Sequence, residues 1–104
     1  MAHLLTAARA VVSPESRREY LEVVARLARR LEARGQHLWV FELRGSPGTF
    51  VEFAEGKDNA THRSRGPADE FERQLEERLR ELASYDHTRD EVWDAVALAA
   101  PEGA

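Results

Sequence analysis

Two segments in the middle of the chain limit what it can fold into more than any other feature. Residues 37–43 (HLWVFEL) and 49–55 (TFVEFAE) are rich in β-branched and aromatic side chains, and Gly45-Ser46-Pro47-Gly48 stands between them. Two such runs around a Gly/Pro turn read as an antiparallel hairpin. With the turn centred on Ser46 and Pro47, Leu43 falls opposite Phe50, Phe41 opposite Glu52, and Trp39 opposite Ala54. Side chains alternate along a strand, so this register puts His37, Trp39, Phe41, Leu43, Phe50, Glu52 and Ala54 on one face. Leu38, Val40, Glu42, Val51, Phe53 and Glu55 take the other. Both faces are largely apolar, so the sheet needs cover on both sides.

The flanking sequence supplies the rest of a small α+β domain. Residues 4–12 form a mostly apolar run that stops at Ser13-Pro14, as a strand does before a helix. Ser13 is a candidate cap, Pro14 suits the first helical position, and Glu15 complements the helix dipole. Over residues 14–34, Tyr20, Leu21, Val24, Leu27, Ala28 and Leu31 recur at spacings of three and four, which predicts an amphipathic helix ended by Gly35. Residues 56–66 are polar and turn-rich, a loop. A second helix is expected over 67–83, with Phe71, Leu75, Leu79 and Leu82 on one side and acidic residues in its first turn. Residues 90–98 read as a fourth strand, with a short helix as the alternative because Asp94, Ala95 and Ala97 are poor strand formers.

The order strand, helix, hairpin, helix, strand gives one domain with a core over 4–98 and a dispensable tail, 99–104. The expected fold is ferredoxin-like βαββαβ, a four-stranded antiparallel sheet with two helices on one face. The first and third strands are then central, and the second face of the sheet stays bare. An apolar face of that kind asks for a partner, and self-association about a two-fold axis is the commonest answer, so a homodimer is expected. The alternative is a monomer whose polar loop and carboxyl-terminal tail fold over the bare face.

Composition narrows the function classes. The chain has 104 residues, a net charge of −4 and a single lysine, Lys57, so no basic field exists to attract nucleic acid or anionic membranes. There are no cysteines, which removes disulfides, thiolate metal sites and thiol nucleophiles. The first residues have neither a basic start nor a long apolar stretch, so a cytoplasmic location is expected.

The element order, together with Trp39-Val-Phe-Glu42 and Pro47-Gly-Thr-Phe-Val-Glu-Phe53, resembles the dimeric α+β barrel superfamily, which includes antibiotic-biosynthesis-type monooxygenases. The resemblance spans roughly residues 4–98 and implies a dimeric α+β barrel. Haem-degrading members combine an asparagine on the first strand with a tryptophan and a histidine on the second helix. Here residues 4–12 hold no Asn and residues 67–83 no His, so no haem or other cofactor is expected. Cofactor-independent oxygenases of the group deprotonate an electron-rich substrate in an aromatic pocket lined by Asn, Trp, Tyr or His, and the resemblance lets Trp39, His37 and Glu52 supply such a set.

On the hairpin register, Glu52 is a lone carboxylate among His37, Trp39, Phe41 and Phe50, where burial would raise its pKa toward that of a general base. The competing reading pairs it with an arginine, such as Arg9 or Arg44, at a dimer interface. His3, His37, His62 and His87 lack metal-binding spacing, so no metal is expected and a scatter over the surface is the simplest reading. Asn59 and His62 could instead lie on a lid formed by the long loop. Arg26, Arg30 and Arg34 form a stripe that reads either as an anion site or as the complement of Asp69, Glu70, Glu72 and Glu76 on an antiparallel second helix.

The resulting expectation is a homodimer binding a small, largely apolar molecule between Trp39, Phe41, Phe50 and Trp93. The alternatives are a cofactor-independent oxygenase or related proton-abstracting enzyme with Glu52 or His37 as base, and a structural or stress-associated dimer without ligand.

Overall fold

The computed structural model describes residues 3–98, the side chains of His87 and Arg89 excepted. The tail 99–104 and the His87 side chain lie outside the described residues. The elements are β1 (Leu4–Val12), α1 (Arg17–Glu32), β2 (His37–Glu42), β3 (Thr49–Gly56), α2 (Glu70–Leu82), β4 (Ala83–Tyr85) and β5 (Val92–Asp94). The sheet is antiparallel with strand order β2-β3-β1-β4, and β5 also pairs with β1. This is the ferredoxin-like α+β arrangement, with β1 and β3 central.

Both helices pack on one face of the sheet. Tyr20, Val23, Val24, Leu27 and Leu31 of α1, with Leu75 and Leu79 of α2, meet Ala10 and Val12 of β1, Leu38 of β2 and Phe50 and Ala54 of β3 in one core. The three- and four-residue spacing of those apolar positions makes both helices, since it buries one side of each and leaves the charged side in water. The helix ends differ from the sequence expectation. Pro14 and Glu15 form a turn closed by Ser16 N–H donating to the Ser13 carbonyl at 3.1 Å, and α1 begins only at Arg17. Pro67 and Ala68 stay outside α2, which Asp69 caps by accepting from Glu72 N–H at 2.9 Å.

The arginine stripe pairs across the helices. Arg30 meets Asp69 and Arg34 meets Glu72, the charge complementarity expected of antiparallel neighbours. Glu70 pairs with Arg73 on its own helix instead, and Glu76 with Arg63.

The hairpin register departs from the expected one by a single residue. Val40 lies opposite Glu52, Trp39 opposite Phe53, Phe41 opposite Val51 and Glu42 opposite Phe50. The cause is the loop, in which Leu43 N–H donates to the Thr49 carbonyl at 2.8 Å and two successive tight turns, 43–46 and 46–49, carry the chain around. The turn is therefore centred near Ser46 itself, and a shift of one residue exchanges the partner faces. Phe50, Glu52 and Ala54 share the helix-covered face with Leu38 and Val40, whereas His37, Trp39 and Phe41 share the open face with Val51 and Phe53.

The last segment is also corrected. Within residues 90–98 only Val92–Asp94 is a strand; residues 87–90 form a 3-10 turn, and Ala83–Tyr85 makes a further short strand directly after α2. β4 and β5 occupy successive stretches of the same β1 edge, Ala83 opposite Val12 and Trp93 opposite Leu5. The expected fourth strand is thus split by a turn that Asp86 caps, accepting from Thr88 N–H at 3.0 Å. Among the described residues, no helix is long and apolar enough to cross a membrane.

Candidate functional site

Glu52 has no exposed surface, and its position on the helix-covered face of central β3 explains why. A buried carboxylate is costly unless every oxygen is satisfied. Here Oε2 accepts from the hydroxyls of Tyr20 on α1 and Tyr85 on β4, both at 2.6 Å, and Oε1 accepts from Arg63 Nη1 at 2.7 Å. Arg63 turns its other edge to Glu76 on α2, with Nε and Nη2 each donating at 2.8 Å. Burial works against the Arg63 charge, but the hydrogen bonds and charges of Glu76 and Glu52 outweigh it and hold its pKa well above the usual arginine value. Burial first, and the Glu52 charge second, push the Tyr20 phenol far up, so it remains a donor.

Arg63 reaches this position because the loop before α2 is anchored at His62. His62 is fully buried. Its Nε2 lies 3.0 Å from the Ala54 carbonyl, so it must donate, and its Nδ1 accepts from Ser64 N–H at 3.0 Å. Those bonds assign the neutral Nε2–H tautomer and start the 3-10 turn Arg63–Arg65. A second anchor holds the preceding residue, where Gln36 Nε2 donates to Thr61 Oγ1 at 2.7 Å.

A cavity of about 370 Å³ opens beside this network on the helix-covered side of the sheet. Thr6 and Ala8 of β1 form its floor. Arg63, Ser64, Gly66 and Pro67 come from the loop, Glu76 and Arg80 from α2, and Asp90 and Val92 from the segment leading into β5. Its lining combines charged and apolar groups, which suits a small molecule with an apolar body and a polar end.

No protein-family model matches the chain, and no curated protein matches it. Solved structures do. A conserved Bacteroides thetaiotaomicron protein of unknown function shares the fold with a TM-score of 0.73 at 15% identity, over 90% of this chain and 98% of that one. A variant of SnoaB, a cofactor-independent oxygenase from Streptomyces nogalater, gives a TM-score of 0.71 at 19% identity, over 96% and 97%. A protein described as an antibiotic biosynthesis monooxygenase gives 0.60 at 18%, over 97% and 100%. The chain has the antibiotic-biosynthesis-monooxygenase-like fold. At these identities the likeness establishes the fold alone.

Within this monooxygenase-like fold the residues singled out from the sequence are dispersed. Phe50 is a core residue, its ring 5.0 Å from that of Tyr20. Trp39 and Phe41 are 44% and 57% exposed on the open face, where His37 stacks on Trp39 at 5.4 Å. Trp93 pairs with Leu5 and is also exposed. Phe41 and Phe50 border one shallow groove at the hairpin end, with Arg9 and Arg44, but Trp39 and Trp93 are not part of it. Asn59 is exposed in the loop, and His62 is an interior anchor rather than a surface histidine.

Glu52 is paired with an arginine, as its competing reading required, but the arginine is Arg63 in the interior instead of Arg9 or Arg44 at an interface. Sequence reasoning missed Arg63, Tyr20 and Tyr85 as its partners. The available signal was the burial of Glu52 on a central strand, which obliges some cation to follow it inside; nothing in the spacing says which of the arginines does so.

Proposed function

We propose that the protein is a homodimer that joins through its open sheet face and binds one small molecule per chain in the helix-side cavity. The observation that carries this reading is the separation of the two surfaces. The exposed aromatic residues Trp39 and Phe41 lie on the face without helices, while the cavity at Arg63, Glu76 and Arg80 lies on the other. An open face bearing Val11, Trp39, Phe41 and Trp93, each more than 40% exposed, is the kind of apolar patch that a partner covers. Self-association through it would leave the cavity free.

A test follows from that separation. Trp39→Glu should give a chain with the mass of one subunit by light scattering while retaining any co-purified small molecule in native mass spectrometry. Val92→Trp, at the cavity rim, should do the reverse. Loss of the ligand and the dimer together in both variants would contradict two separate surfaces.

A second reading is favoured by one observation, the shared fold with the cofactor-independent oxygenase SnoaB. In it the cavity takes an electron-rich phenolic substrate, and a carboxylate abstracts its proton before oxygen attacks. Glu76 stands on the wall, whereas Glu52 lies behind Arg63 and His37 is on the open face. Oxygen uptake with electron-rich phenols, abolished in Glu76→Gln and unchanged in His37→Ala, would support this reading, and uptake unaffected by Glu76→Gln would remove it.

A further inference from the structure

We infer that the cavity ligand is a compact organic anion, a carboxylate or phenolate of one or two rings, whose charged oxygen is received by Arg80; this rests on the small-molecule reading above. Size sets the first limit. A volume of about 370 Å³ is roughly a dozen times that of a water molecule in the liquid, which suits a one- or two-ring body.

Hydrogen-bonding capacity sets the second limit. Both oxygens of Glu76 are held by Arg63, and Glu52 is filled by Arg63 and two phenols. Every oxygen of these two carboxylates therefore already accepts at least one hydrogen bond. A guanidinium carries five N–H donors, of which Arg63 commits one on Nε, one on Nη1 and one on Nη2, so the cation between them keeps donors in reserve. Arg80 has no hydrogen bond or ion pair among the described residues, and it is exposed at the cavity wall, where its donor fork can meet a ligand. The wall is thus rich in open donors, and a ligand that satisfies it must bring acceptor oxygens. Ala8, Pro67 and Val92 supply apolar contact for its body.

Asp90 is the opposing group. It is exposed at the rim and also without an ion pair among the described residues, so it weakens an anion there. Arg80 and Asp90 consequently act in opposite directions on the same ligand.

The experiment is calorimetric titration of the full chain with naphthalene-2-carboxylate, 2-naphthylmethanol and 2-naphthylmethylammonium at neutral pH. The carboxylate should bind about tenfold more tightly than the alcohol, the ratio given by one charge-assisted hydrogen bond, and the ammonium most weakly. In Arg80→Gln the carboxylate and alcohol should bind alike, in Asp90→Asn their ratio should widen, and in Val92→Trp all three should fail. An alcohol or ammonium equal to the carboxylate in the wild type, or an unchanged ratio in Arg80→Gln, overturns the anion assignment while leaving the cavity as a binding site. Binding that survives in Val92→Trp overturns it in favour of the groove at Arg9 and Arg44. Failure of all three probes in the wild type overturns the cavity reading as well.

Discussion

Arg63 Nη1 lies 2.7 Å from Glu52 Oε1, and the two side chains are 9% and 0% exposed. One of them belongs to a loop and the other to a central strand, so this pair fastens the wall of the cavity to the core of the sheet. Removing the cation leaves Glu52 and Glu76 buried without it. Arg63→Met should therefore lower unfolding stability by about 3–5 kcal/mol, measured by urea denaturation at fixed protein concentration. Adding Glu52→Gln to that variant should recover part of the loss, because one stranded charge disappears. A double variant less stable than the single one would contradict the pairing.

The tyrosines make a graded test of the same carboxylate. Tyr20→Phe and Tyr85→Phe each remove a hydroxyl that donates to Oε2 at 2.6 Å. Hydrogen bonds to a charged group contribute roughly 1.5–3 kcal/mol. The loss should be larger for fully buried Tyr20 than for half-buried Tyr85, where water can replace the hydroxyl. Equal losses at both positions would argue against that difference in solvent access.

Most of the architecture was legible in the sequence because it follows from local periodicity. The spacing of Tyr20, Val24, Leu27 and Leu31 identifies α1 regardless of what it packs against, and Phe71, Leu75, Leu79 and Leu82 do the same for α2, although its start falls at Asp69 and not at the expected Pro67. The site was not legible, and the reason is parity. Whether Glu52 faces Phe41 or Val40 depends on a single residue in the loop, and that residue exchanges the faces of the hairpin. The expected cluster of His37, Trp39, Phe41, Phe50 and Glu52 was consequently divided between two sides of the sheet. The capture of Arg63 was illegible for a different reason. It depends on His62 docking against Ala54, a contact between a loop and a strand with no periodic signature.

The hairpin end tests the observed register. Gly48 has φ of 88°, its N–H donates to Glu42 Oε2 at 2.9 Å, and a Cβ added there would stand 2.4 Å from the Val12 carbonyl oxygen. Gly45 has φ of 84° but open space around it. Gly45→Ala should cost about 1–2 kcal/mol for the left-handed backbone alone. Gly48→Ala should cost distinctly more, because the β1 carbonyl must also move. Thermal unfolding of the two variants side by side would show this, and similar midpoints would contradict the close approach of the loop to β1.

Acid sensitivity should arise partly at the surface. The hydrogen bond from Arg17, then that from Gly48 N–H, hold the Glu42 carboxyl below its reference value of 4.5, and Arg78 does the same for Glu19. A carboxyl with a depressed folded-state pKa stabilises the fold above its unfolded pKa and stops doing so as pH falls through the folded one. Stability should therefore be flat from pH 7 to about 5 with respect to these groups and decline below about 4.5. Glu42→Gln should flatten that decline, as read from urea midpoints at pH 6 and pH 3.5. An unchanged difference between those two midpoints would exclude Glu42 as a contributor.

The division of labour between the two faces of the sheet is tested most directly by amide chemical-shift mapping of the full-length protein titrated with naphthalene-2-carboxylate. The shifts should concentrate at Ala8, Ser64, Glu76 and Val92 around the helix-side cavity and leave Trp39, Phe41 and Val51 unmoved. Shifts centred on Trp39, Phe41 and Val51, with the cavity residues silent, would show that the open face is the binding surface and contradict the assignment.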